Sequence, residues 1–284
     1  MTAKSILNKR TFISFLGYIP VLIWVIFTFV LIGWVFFASL STSSEIFSDH
    51  MFKFKSGFHF ENYVKAWKTQ RVSVFFMNSL LYTVVSCTAI ILIASPAAYV
   101  LSRYRFPGNV LFQNMFAAAL GIPAIMIIMP LFGIVSVLKL TNNRILLMFL
   151  YTAMNVPFGV FYMLAFFKNL SFTYEEAAAI DGCSPIRTFW KIMLPLAQPG
   201  LVTLTIFNFI SIWNEYFMSL IFANRTNVRP VAVGLYNMIQ SMRYTGDWGG
   251  MFASVVIVFM PTFILYIFLS DRIIKGVTAG AIKG

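Results

Sequence analysis

The sequence runs to 284 residues, of which 60% are hydrophobic, 18% aromatic and only 11% charged, with a formal net charge of +12. So few charges cannot cover a water-facing surface, which excludes a soluble globular domain, and a mean hydropathy of +0.83 points to an integral membrane protein. The basic excess reads as membrane anchoring and interface charge, and nucleic-acid binding is excluded because no soluble basic domain exists to carry it.

A bilayer crossing needs about 20 apolar residues, and a charge at its centre costs about 3 kcal/mol or more. Charge-free windows run from Arg10 to Glu45, Arg71 to Arg103, Arg105 to Lys139, Arg144 to Lys168 and Asp247 to Asp271, and a sixth from Lys191 to Arg225 holds one acid, Glu215. These windows predict an all-α integral membrane protein in one domain, 1–284, with six helices over roughly 12–38, 74–101, 109–137, 145–167, 198–222 and 248–270. Barrel strands would alternate in polarity, and the run from Ala124 to Val137 does not. The first run is longer than a signal-peptide core and lacks a small-x-small cleavage site, so it is expected to be retained as a helix. The 21 basic residues divide almost evenly between the two sides. Lys4, Lys9 and Arg10, with no acid among the first ten residues, favour a cytoplasmic start.

The stretch 39–71 is expected to be an external loop. In it Phe60, Tyr63 and Trp67 are spaced as one face of a short helix, read as an aromatic belt anchor ahead of a ligand site. His50 and His59 lie there without ligand-spaced acids or cysteines, and Cys87 and Cys183 form neither a disulfide framework nor a metal pair. The second span ends in a tight cytoplasmic turn in which Arg103 and Arg105 snorkel. Pro123, Pro130 and Pro157 each remove a backbone hydrogen bond, predicting kinks either beside a central pathway or at simple packing contacts.

Between spans four and five lies 171–195, too polar for lipid and too regular for a linker. Thr173 and Glu176 have the spacing of a capping box, three alanines propagate a helix, and Gly182 supplies a left-handed stop. Ser184 and Pro185 start a second helix whose Ile186, Phe189, Trp190 and Met193 share an apolar face, with Leu194 and Pro195 ending it. By physics alone this is an amphipathic helix pair on one membrane face, which an interfacial anchor would also satisfy.

The same segment resembles the "EAA" signature of ATP-binding-cassette (ABC) importer permeases through Glu176-Ala177-Ala178, Gly182, Ile192 and Leu194-Pro195. Asn62-Tyr63, Asn78-Ser79, Tyr99 to Gly108, Trp213-Asn214-Glu215 and the ending Gly276 to Gly284 are similar to landmarks of the maltose-type carbohydrate permeases, especially the shorter of their two permease subunits. That resemblance implies a cytoplasmic coupling segment at 171–195 gripped by an ATPase subunit through Glu175, Glu176, Ala177, Ala178, Asp181 and Gly182. It also implies a second homologous permease, two ABC ATPase subunits, an extracytoplasmic solute-binding protein and a bacterial inner-membrane location with both termini cytoplasmic. No Gly-x-x-x-x-Gly-Lys-Ser/Thr sequence occurs, so no cofactor is expected in this chain, and ATP and magnesium belong to the partner ATPases. The tail from Gly276, with Arg272, Lys275 and Lys283 around it, is either a snorkelling anchor or a further ATPase contact.

Polar residues inside spans are costly in lipid and usually face a cavity. Asn155, Asn208, Trp213, Asn214, Glu215 and Tyr216 are therefore candidates for a sugar pathway, with interhelical hydrogen bonding, interface anchoring or, for Glu215, contact with the external protein as the competing roles. Two other transporter readings remain. One is an ABC permease for another solute, such as glycerol phosphate, an amino acid or a peptide; a phosphate ester would call for an intramembrane cation, and no predicted span has one. An ion-coupled secondary transporter would call for buried midplane acids, for which only Glu215 is available.

Overall fold

A computed structural model describes residues 3–48 and 55–281, with side chains described for 17–48, 55–241 and 244–269. His50, Lys283 and the end of the C-terminal tail lie outside the described residues. In chain order the helices are α1 Ala3–Ser39, α2 Ser43–Ile46, α3 Glu61–Lys68, α4 Val72–Arg103, α5 Asn109–Ala119, α6 Ala124–Val137 and α7 Arg144–Asn169. They continue as α8 Thr173–Ile180, α9 Pro185–Thr188, a π-helical turn at Phe189–Met193, α10 Leu194–Leu196, α11 Gln198–Trp213, α12 Phe217–Phe222, α13 Val231–Thr245 and α14 Trp248–Ala281. Every regular element among the described residues is helical, as a chain of long charge-free runs requires.

Among the described residues, four segments are long and apolar enough to cross a bilayer: Gly17–Ser39, Val72–Arg103, Arg144–Asn169 and Trp248–Leu269. The number rises to six only if each of two bent pairs, α5 with α6 and Pro185–Leu196 with α11, is one crossing. The predicted third helix, 109–137, is thus broken and not merely kinked, with its halves meeting at 94°. Pro123 is the cause: it stands in extended conformation immediately before α6, has no N–H to give, and restrains the residue before it from helix. Pro130 and Pro157, in contrast, lie inside α6 and α7. The predicted fifth helix, 198–222, is likewise divided, by Asn214, Glu215 and Tyr216 between α11 and α12.

Contacts divide the chain into two compact units, one comprising residues up to Arg71 with Met238–Phe259, the other Val72–Asn237 with residues from Met260 onward. In the first, the described side chains of α1, from Gly17 on, are largely uncovered, and among them only Ala38 and Ser39 at its end are buried. Asn62 Nδ2 donates to the Ser39 and Ser41 carbonyls at 3.0 Å each, and Tyr63 shares a 2.7 Å hydrogen bond with Ser39 Oγ. Lys65 and Gln70 both reach Asp247 Oδ2, at 2.9 and 2.8 Å. Phe60 is exposed, so the expected aromatic face is carried by α3 without it. His59 has a nearby acid after all: its Nδ1 is 2.6 Å from Glu61 Oε1, and Ser56 occupies the other ring nitrogen. No metal-holding cluster occurs among the described residues.

In the second unit α4 and α7 pack face to face. Gly159 makes this possible, since a Cβ there would come within 2.9 Å of the Ala94 Cβ, and small residues let helix backbones approach closely where lipid offers no hydrophobic drive. The buried core along this seam includes Ile90, Val160, Met163, Phe167 and Leu204. On α4, Asn78 donates to the carbonyls of Asn227 and Arg229 at 2.9 and 3.0 Å, Ser79 Oγ accepts from Val231 N, and Tyr82 donates to the Val228 carbonyl. These bonds bracket the loop before α13.

Candidate functional site

The segment 171–195 folds largely as its residues dictate. Gly182 has φ +73°, the left-handed conformation that costs a Cβ-bearing residue about 1–2 kcal/mol. Cys183 N donates to the Ala178 carbonyl at 2.9 Å and Gly182 N to that of Ala179 at 3.0 Å, the pair of bonds that closes a Schellman cap. Ser184 caps α9 by accepting from Arg187 N, with Pro185 in the first turn.

Two details differ from expectation. Thr173 is the first residue of α8 and not its cap: Phe172 holds the cap position with no side-chain bond, and Ser171 Oγ accepts from Thr173 N at 3.2 Å. The predicted capping box is absent because the helix starts one residue earlier, which leaves Glu176 pointing outward. The expected apolar face of the second helix also splits. Phe189 and Met193 are buried, whereas Ile186 and Trp190 are exposed, and the helix runs through Pro195 to Leu196. A π turn occupies Phe189–Met193, so the residues from Phe189 on do not follow the 3.6-residue period that the expected face assumed.

The six proposed docking residues do not share one orientation. Glu176, Ala177, Asp181 and Gly182 are exposed, Ala178 is buried and Glu175 is half-buried. Glu175 instead meets Arg103, the last residue of α4, with Oε1 2.9 Å from Nε. The side chain of Arg103 is 3% exposed; its Nη2 donates to the Leu170 carbonyl at 2.9 Å, and its guanidinium lies 4.2 Å over the Phe172 ring. The contact with Glu175 is an ionic pairing and not an aligned hydrogen bond. A cavity of 210 Å³ adjoins it, lined by Tyr99, Tyr104, Ala179 and Cys183 among others. The expected snorkelling of Arg103 is therefore corrected: a carboxylate, a carbonyl and a ring hold it inside, whereas Arg105 is exposed.

The six pathway candidates scatter as well. Trp213 is 1% exposed, stacked on Phe209 and edge-on to Phe76. Asn208 is equally buried. Glu215 accepts from Met218 N at 2.6 Å, Ser219 N at 3.0 Å, Ser219 Oγ at 2.7 Å and Tyr151 OH at 3.1 Å. A carboxylate on the first free N–H groups of a helix is favoured by both hydrogen bonding and the helix dipole, so Glu215 restarts the chain as α12 after the break. Asn155 on α7 accepts from Ser211 on α11 at 3.3 Å, Asn214 is exposed, and Tyr216 stands edge-on to Tyr236. The sequence reading missed Tyr151, Ser211 and Ser219. Of these, Ser219 carried a signal, because it lies four residues after Glu215, the spacing at which side chains meet along the single helix predicted for 198–222.

The family model described as "binding-protein-dependent transport system inner membrane component" matches residues 90–279. The diacetylchitobiose uptake system permease protein NgcG of Streptomyces coelicolor is 31% identical over 92% of this chain and 86% of its own length. The trehalose transport system permease protein SugB of Mycobacterium tuberculosis is 28% identical over 88% and 90%. Among solved structures, a chain of a bacterial ABC transporter involved in import of the acidic polysaccharide alginate superposes with a TM-score of 0.79 at 23% identity, covering 95% of this chain and 98% of that one.

Proposed function

The chain belongs to the family of inner-membrane components of binding-protein-dependent transport systems, and from that membership we propose that it is a sugar-translocating permease whose segment 171–195 seats a separate ATPase. It crosses the bacterial cytoplasmic membrane six times, with both termini and the segment 171–195 on the cytoplasmic side. A second homologous permease completes the pathway, two ABC ATPase subunits carry ATP and magnesium, and an extracytoplasmic binding protein delivers the solute. This chain holds no cofactor of its own.

The observation that carries this reading is the geometry of α8. A short helix, closed by a glycine cap, turns Glu176, Ala177, Asp181 and Gly182 to solvent. Small residues admit a partner closely and the acids suit a basic cleft. ATP binding closes the ATPases, moves the seated segments together and switches the permease pair between inward-facing and outward-facing states as rigid bodies.

Sugar is favoured by the relatives NgcG, of a diacetylchitobiose uptake system, and SugB, of a trehalose transport system, and by the lack of any Lys or Arg within the predicted spans, which an anionic solute would want. Within the pathway set, Asn155, Asn214 and Tyr216 retain the exposure needed to touch hydroxyls, while the buried Asn208 and Trp213 shape the wall behind them and the carboxylate of half-buried Glu215 is committed to the start of α12. The test is uptake by vesicles rebuilt with both permeases, the ATPases and the binding protein. ATP-dependent accumulation of an uncharged oligosaccharide is expected. Accumulation driven by an ion gradient without ATP would refute the proposal.

A further inference from the structure

We propose that Arg103 is the positioning residue that ties the docking segment to span α4, so that α8 and α4 move as one piece through the transport cycle. This rests on the reading of 171–195 as the ATPase seat. The chain itself joins α8 only to α7, through Leu170 to Phe172, and to α11, through α9 and α10. No short connection in the chain joins it to α4, whose end lies about 70 residues earlier.

α8 has a weak apolar hold of its own, since Ala178 is its one buried residue. Arg103 supplies the rest in three directions at once: to Glu175 on α8, to the Leu170 carbonyl at the end of α7, and to the Phe172 ring between them. One turn earlier on the same face of α4, Tyr99 packs on Phe189 of the π turn and on Phe167 of α7, with centroids 5.1 and 5.5 Å apart. The last turn of α4 therefore holds both halves of the docking segment, one by charge and one by aromatic contact. The cavity beside the pair leaves the joint without solid packing around it, so displacement of α8 is passed on chiefly by the Arg103 contacts. Arg suits this role better than Lys, because its planar guanidinium meets a carboxylate, a carbonyl and a ring together, whereas an ammonium keeps only the charge.

The test uses the full complex with Cys87 and Cys183 replaced by serine and spin labels at Met77→Cys on α4 and Ile180→Cys on α8, both exposed positions. Distances are read without nucleotide and after trapping with ATP and vanadate. With Arg103 present, one narrow distance is expected, unchanged by trapping. In Arg103→Gln and in Glu175→Gln the distance should shift or broaden on trapping while the ATP-hydrolysing subunit still co-purifies, and Arg103→Lys should restore part of the narrow population. Should Arg103→Gln fail to assemble, Glu175→Gln carries the test alone. A distance that changes on trapping with Arg103 intact, or stays fixed in Glu175→Gln, overturns the inference. Absence of any co-purifying ATP-hydrolysing subunit would instead strike the functional reading beneath it.

Discussion

Two carboxylates in this chain, Glu175 and Glu215, show two ways of holding an acid in a membrane protein. Glu215 is satisfied within five residues by Met218 and Ser219, with Tyr151 adding one bond from α7. Glu175 depends on Arg103, a residue of another helix. A local cap shapes the chain where it stands, while a pair across elements makes the position of one helix depend on another. The first stabilises a break in a span and the second can carry motion.

That contrast is sharpest in the response to mutation. Arg103→Ala should have the largest effect: removing one partner of a buried pair leaves the other uncompensated, at about 3–5 kcal/mol. It should appear as a marked fall in the thermal unfolding midpoint of the detergent-solubilised complex. If Arg103→Ala unfolds no sooner than the parent, the pair is not a joint. Glu215→Gln, which keeps shape and loses charge, should cost about 1.5–3 kcal/mol through weaker bonds to the α12 N–H groups. The loss should be smaller in a Ser219→Ala background, because the two side chains share one network.

A third carboxylate, Glu45, lies beyond the candidate span Gly17–Ser39. Glu45 is held down to about 2, from an ordinary 4.5, first by the Ser56 hydroxyl and then by the Thr42 and Ser56 backbone N–H groups. A depressed folded-state value means that its stabilisation is complete above pH 4.5 and declines as pH falls towards 2. Proteolysis of the segment around Ser56 should therefore quicken over that window in the parent, and the dependence should weaken in Ser56→Ala. The smallest effect is expected from Thr173→Ala, within about 0.5 kcal/mol, because Thr173 caps nothing; a loss above about 1 kcal/mol would restore the capping box.

The sequence made the helical class legible because lipid forbids charge over long windows, and it made the stop at Gly182 and the start at Ser184-Pro185 legible because those residues act on their own neighbours. It did not show the break before Pro123 as a break, since the same proline inside α7 bends nothing so far; the outcome depends on what packs alongside. The motifs Asn62-Tyr63 and Asn78-Ser79 were visible as landmarks, but their work of bracketing loops to helix ends is long-range. For the same reason, Glu175 looked like one more exposed acid beside Glu176. Its partner is 72 positions away, and no periodicity within α8 points to it. Trp213 and Asn208 read as pathway residues because polarity and aromaticity in a span are seen without the direction in which the side chain faces.

The most direct test of the account places a photo-activated cross-linker at Glu176→Cys in the purified transporter, in a Cys183→Ser background, and identifies what it captures. The account predicts an adduct with the ATP-hydrolysing subunit, lost when that subunit is stripped away. Capture of the external binding protein, or labelling of the same cysteine by an impermeant reagent applied to intact cells, would contradict it.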